Sequence, residues 1–68
     1  MRYAVVIERA NHNYSAYVPD LPGCVATGAT ELEVREHIRE AIKMHIDGML
    51  EDGDAIPQPA SSVEYIAA

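Results

Sequence analysis

Cys24, three histidines and eleven carboxylates are the groups in this 68-residue chain that could do chemistry. A reactive thiol needs a base or a helix N-terminus to lower its pKa. Cys24 has no histidine near it in sequence and begins a predicted strand, so it is expected as a small buried hydrophobe. A helical metal pair needs ligands four residues apart. His37 and His45 are separated by eight residues, about 12 Å along a helix axis. They cannot share one ion, and His12 stands alone in a loop. His45 is expected in the core or at an interface. No metal or other cofactor is expected.

Seven of the carboxylates (Glu31, Glu33, Glu36, Glu40, Asp47, Glu51 and Asp52) fall on one predicted helix, where a solvated face is their ordinary role. Glu8 and Asp20, at strand ends, and Asp54 are the acids that could serve a Mg²⁺-dependent nuclease. Two-metal chemistry needs several carboxylates holding ions about 4 Å apart, and this spacing assembles no such clamp. The chain also lacks a glycine-rich phosphate loop, a Ser-His-Asp order and a GxSxG turn. It is not expected to be an enzyme.

Composition narrows the remaining classes. A chain of this length makes one domain, residues 1–68, and buries only about 60% of the surface its unfolded form exposes. Small scaffolds gain stability from disulfides, a metal or oligomerisation. One cysteine excludes an internal disulfide, so self-association or a protein partner is expected. Eleven acids against five bases give a net charge of −6. That field repels phosphate backbones, which argues against direct nucleic-acid binding, and it favours encounter with a basic partner. The lone thiol and the absence of a leader-like start point to a reducing, cytoplasmic setting. No apolar run approaches the roughly 20 residues of a membrane span.

The elements that position these groups are legible. "RYAVVIE" (2–8) alternates Tyr3, Val5 and Ile7 with Ala4, Val6 and Glu8, as a strand with one buried face does. "RANHN" suits a hairpin loop. "YSAYV" and "CVATG" read as a second and a third strand. Thr30 and Glu33 form a capping box, opening a helix whose apolar stripe is Val34, Ile38, Ala41, Ile42, His45, Ile46 and Met49. Gly53 suits the left-handed residue that ends it. Gly48 inside it is either a close contact or simply tolerated. Pro57 and Pro59 force extended geometry before them, and "SVEYI" (62–66) reads as a fourth strand. The expected fold is α+β, ordered β-β-β-α-β, with one helix on a small mixed sheet of order 3-2-1-4.

Between the second and third strands stands "PDLPGC". Pro19 and Pro22 fix φ, Gly23 supplies a conformation other residues resist, and Asp20 is expected to cap local N–H groups in an Asx-type turn. Pro19, Pro22, Gly23 and Cys24 thus form a rigid corner. Loops on a stiff scaffold often carry recognition, so it is either a corner alone or a corner that is also a contact surface.

The stretch from Tyr14 to Pro59 resembles the HicB antitoxin family, including its short HicB-like members. The resemblance rests on Tyr14, the Pro19–Cys24 block, Gly28 and Thr30 before the helix, Glu40-Ala41-Ile42, Asp52-Gly53, and Ile56-Pro57 with Pro59. It covers essentially the whole chain and implies a partial ribonuclease-H-like fold. It further implies an antitoxin of a bacterial type II toxin–antitoxin system, binding and inhibiting a small basic HicA-like toxin, an mRNA-cleaving ribonuclease. Full-length members carry a C-terminal DNA-binding domain. Nothing in residues 1–68 corresponds to it, so operator binding is not carried over. Glu8, Tyr17, Asp20, Leu21 and Asp54 are the candidate partner contacts, and a homodimer or tetramer is expected. The alternative is an orphan homo-oligomeric scaffold or interaction module without a toxin.

Overall fold

Three short strands and one long helix are what the sequence makes. In the computed structural model, which describes residues 1–68, β1 is Val6–Arg9, β2 Tyr14–Tyr17, β3 Val25–Gly28 and α1 Glu31–Glu51. The sheet is antiparallel throughout, in the order β1-β2-β3. Its register pairs Ile7 with Ala16 and Ala16 with Ala26, so these three share one face. The helix covers that face. Ala16, Val18, Leu21, Cys24, Val34 and Ile38 form the buried core, flanked by Tyr3, Val5, Ile7, Tyr14, Ala26, Ala41, Ile42 and Ile46. The α+β class and the first three strands follow the sequence reading. β1 is shorter than expected, because its partner β2 stops before Pro19, which has no N–H to continue a ladder.

Capping explains where α1 starts. The Thr30 Oγ1 accepts from the Glu33 N–H at 3.0 Å, and the Glu33 carboxylate accepts from the Ala29 N–H at 3.2 Å. The box therefore closes one residue further back than the usual form, in which Glu33 would take the Thr30 amide. Gly28 lets the helix begin so close to β3: a Cβ there would lie 2.6 Å from the Val34 nitrogen and 2.9 Å from its Cα. At the other end Asp54 N–H donates to the Met49 carbonyl and Gly53 N–H to that of Leu50, with Gly53 at φ 72°. That is a Schellman ending. Gly48 has open space around it, so within this chain it is tolerated rather than required. No helix is long and apolar enough to cross a membrane.

One expectation is corrected. Residues 54–68 form no strand, so the sheet has three strands and the order 3-2-1-4 is not present. A period-two pattern stabilises a strand only when one face is buried. In the single chain Val63, Tyr65 and Ile66 are exposed by 50%, 95% and 86%, so nothing repays pairing. The segment is fastened at two places instead. The Tyr3 hydroxyl donates to the Pro57 carbonyl at 2.6 Å, and the Asp20 carboxylate accepts from Ala60 and Ser61.

Candidate functional site

PDLPGC is two β-turns in series. Leu21 N–H donates to the Val18 carbonyl at 3.1 Å and Cys24 N–H to that of Leu21 at 3.0 Å. Each turn has a proline at its second position. In the second turn Gly23, at φ 84°, takes the third position that a type II turn reserves for glycine. A further bond from Val18 N–H to the Cys24 carbonyl closes the neck of the corner. Its two apolar side chains turn inward: Leu21 is fully buried and Cys24 nearly so. Burial pushes the Cys24 thiol above its ordinary pKa, the opposite of what a nucleophile needs. Leu21, a candidate contact from sequence, supports the corner from within and has no surface to offer a partner.

Asp20 is not an Asx cap. Its Oδ2 accepts from the Ala60 and Ser61 N–H groups, each at 2.9 Å, and its Oδ1 from the Ser61 hydroxyl at 2.8 Å. The Ser61 amide, then the Ala60 amide and the Ser61 hydroxyl, hold its carboxyl below the ordinary value. Asp20 therefore spends its acceptors on the chain's own C-terminal segment. His37 is a second fastening that sequence did not show. Its Nδ1 donates to the Thr27 carbonyl at 2.7 Å, tying the helix to the outer edge of β3. His45 is half-buried beside Gly23, Val25 and Met44 at that same edge.

The helix leaves the other face of the sheet bare. The molecule measures 40 × 28 × 16 Å, room for one helix layer on one sheet layer and no second cover. Across the bare face the register aligns Val6, Tyr17 and Val25 in one row, with Glu8, Ser15 and Thr27 in the next. Tyr17 and Val25 are exposed, and Glu8 is exposed beside them. Two of the candidates, Glu8 and Tyr17, thus share one face. Asp54 lies exposed just past the helix end. No three His, Cys, Asp or Glu side chains come together closely enough to hold a metal ion, Glu8, Asp20 and Asp54 included. Val6 and Val25 were not singled out from sequence. The signal was the alternation of each strand, and joining the strands into a row required the register.

This geometry can bind a protein surface, through an aromatic and two valines with an acid at their margin. Comparison with known proteins agrees with a binding role. Residues 3–68 match the family described as HicB_like antitoxin of bacterial toxin-antitoxin system. An uncharacterised 14.9 kDa protein from the rep-hol intergenic region of Haemophilus phage HP1 is 42% identical over 66 residues, 97% of this chain. The chain spans only half, 50%, of that phage protein's length. A UPF0150 protein of Thermoplasma acidophilum is 36% identical over 59 residues, 85% of this chain and 86% of its own. One from Helicobacter pylori is 36% identical over 58 residues, 85% of this chain and 81% of its own. Matched along nearly its whole length, and similar to short proteins that it nearly spans, this chain belongs to the HicB-like antitoxin family of bacterial toxin–antitoxin systems.

Proposed function

We propose that the chain is the antitoxin of a type II system, which binds and inhibits a small, basic, HicA-like mRNA-cleaving ribonuclease in the cytoplasm, and that it self-associates as a homodimer or tetramer. The family match over residues 3–68 carries this reading. The bare sheet face supports it. Tyr17 between Val6 and Val25 is the kind of aromatic anchor that dominates interfaces. Glu8 at its margin and a net charge of −6 suit a basic partner. Inhibition requires only that the toxin's catalytic surface be covered, so the antitoxin needs no catalytic residue of its own. Asp20 and Leu21 contribute at one remove, by setting the corner that follows Tyr17, and Asp54 is a further acidic contact. Direct binding of nucleic acid is no part of this proposal.

The test is RNA cleavage by the basic toxin encoded beside the protein, with purified antitoxin in stoichiometric excess. Cleavage stops if the reading holds, and unchanged cleavage refutes it. Tyr17→Ala should weaken inhibition about tenfold or more and leave the fold intact, because Tyr17 faces solvent.

A second reading is an orphan homo-oligomeric scaffold, favoured by the apolar side chains of Val63, Tyr65 and Ile66 left in solvent. A neighbouring coding sequence without a short basic protein would select it.

A further inference from the structure

The strand missing from the sheet leaves a trough. Between the free edge of β1 and the helix, Tyr3, Val5, Ile7, Ile38 and Ile42 floor a depression of about 370 Å³. A second depression shares Val5 and Ile7 with it and continues to Arg9, Tyr14 and Glu31, so the two make one channel along β1. β1 is hydrogen-bonded only to β2, and its other edge is unpaired. Arg35 and Arg39 stand on the rim of the first part and Arg9 on that of the second, with Glu31 at the far end. Three of the chain's five basic residues therefore border this channel.

An occupant must be apolar, extended and acidic. A basic toxin does not meet that description, but residues Ser62–Ile66 of this chain do: Val63 and Tyr65 lie on the side of an extended segment that would face the channel, with Glu64 on the other. The chain's own copy does not fill the channel. Its Tyr65 reaches only the Arg9 end and stays 95% exposed. The Tyr3 and Asp20 bonds pin the residues just before it. We propose that residues Ser62–Ile66 of a second copy enter the channel as the fourth strand, with each chain donating its tail to the other. A net charge of −6 on each copy opposes association elsewhere on the surface. The arginine-lined channel is where an acidic segment can approach. Exchange also buries the side chains whose exposure keeps the tail from forming a strand alone. This deepens the self-association part of the proposed function and is independent of the toxin.

Sedimentation equilibrium of the full chain tests it. The wild type should run as two chains, or as a higher even number. Tyr65→Asp and Val63→Asp should each raise the dimer dissociation constant about tenfold or more with helical circular dichroism unchanged. Both positions face solvent within one chain, so the variants should fold. A wild type that remains one chain throughout the micromolar range overturns both the exchange and self-association. An oligomer indifferent to Tyr65→Asp and Val63→Asp overturns the exchange alone and leaves self-association through another face.

Discussion

The PDLPGC corner and the C-terminal segment are both proline-rich, both lack regular secondary structure, and touch each other through Asp20, yet they are held by different physics. In the corner, three local backbone bonds and two inward apolar side chains fix six residues. In the tail, fourteen residues from Ala55 to Ala68 depend on Tyr3 and Asp20, and Val63, Tyr65 and Ile66 remain in water. Prolines stiffen both, but stiffness does not supply burial. A segment becomes part of the fold when its side chains find an apolar neighbour, and otherwise it is only moored.

The comparison can be broken most sharply at Leu21. Leu21→Ala empties a fully buried site, which costs about 2–5 kcal/mol in typical cores. In so small a domain that is most of the stability, so chemical denaturation should show a midpoint near zero denaturant. If the midpoint barely moves, the corner is moored rather than built in. Next comes Gly28→Ala, which forces a Cβ to within 2.6 Å of the Val34 nitrogen. Overpacking of this kind costs about 1–3 kcal/mol, and a lowered melting temperature would record it. Val34 and its helix would have to shift to relieve the clash.

The smallest effect on global stability belongs to the mooring itself. Asp20→Asn weakens the acceptor that holds Ala60 and Ser61. It should speed hydrogen exchange at those two amides while the melting temperature stays within a few degrees. Acid does the same reversibly. The folded Asp20 carboxyl is held below its ordinary value, so its contribution is present above that value and is lost as pH falls through the lowered one. The Ala60 and Ser61 amides should therefore keep their protection through neutral and mildly acidic pH and lose it only below the ordinary aspartate range. Loss of protection near neutrality would contradict the clamp.

How much of this was legible depends on the range over which the physics acts. The helix, its caps and the corner are encoded by residues within five positions of one another, and Thr30, Glu33, Gly53, Pro22 and Gly23 announced them. The length of β1 and the partner of Asp20 are not local facts. Nothing near Asp20 indicates that the donors to its carboxylate lie forty-one residues away at Ser61. The tail reads as a fourth strand and forms none in the chain's own sheet, because pattern gives a face and only a partner gives pairing. Leu21 reads as a contact because it sits in a turn, whereas its side chain is fully buried, a placement no local pattern announces. The row through Tyr17 needed three strands in register before Val6 and Val25 became its neighbours.

The Asp20 clamp also sets an order of events in time. The hairpins, the corner and the helix close short loops, and loop-closure entropy makes such contacts early. A contact spanning forty-one residues must wait for both ends to be built. The tail is therefore the last segment to fasten and the first to let go. In each newly folded molecule there is an interval when the channel beside β1 exists and its own tail is still loose. Under the proposed exchange, that interval, during synthesis with sister chains emerging nearby, is when a neighbour's tail arrives first, and kinetics would settle the partnership before the clamp closes.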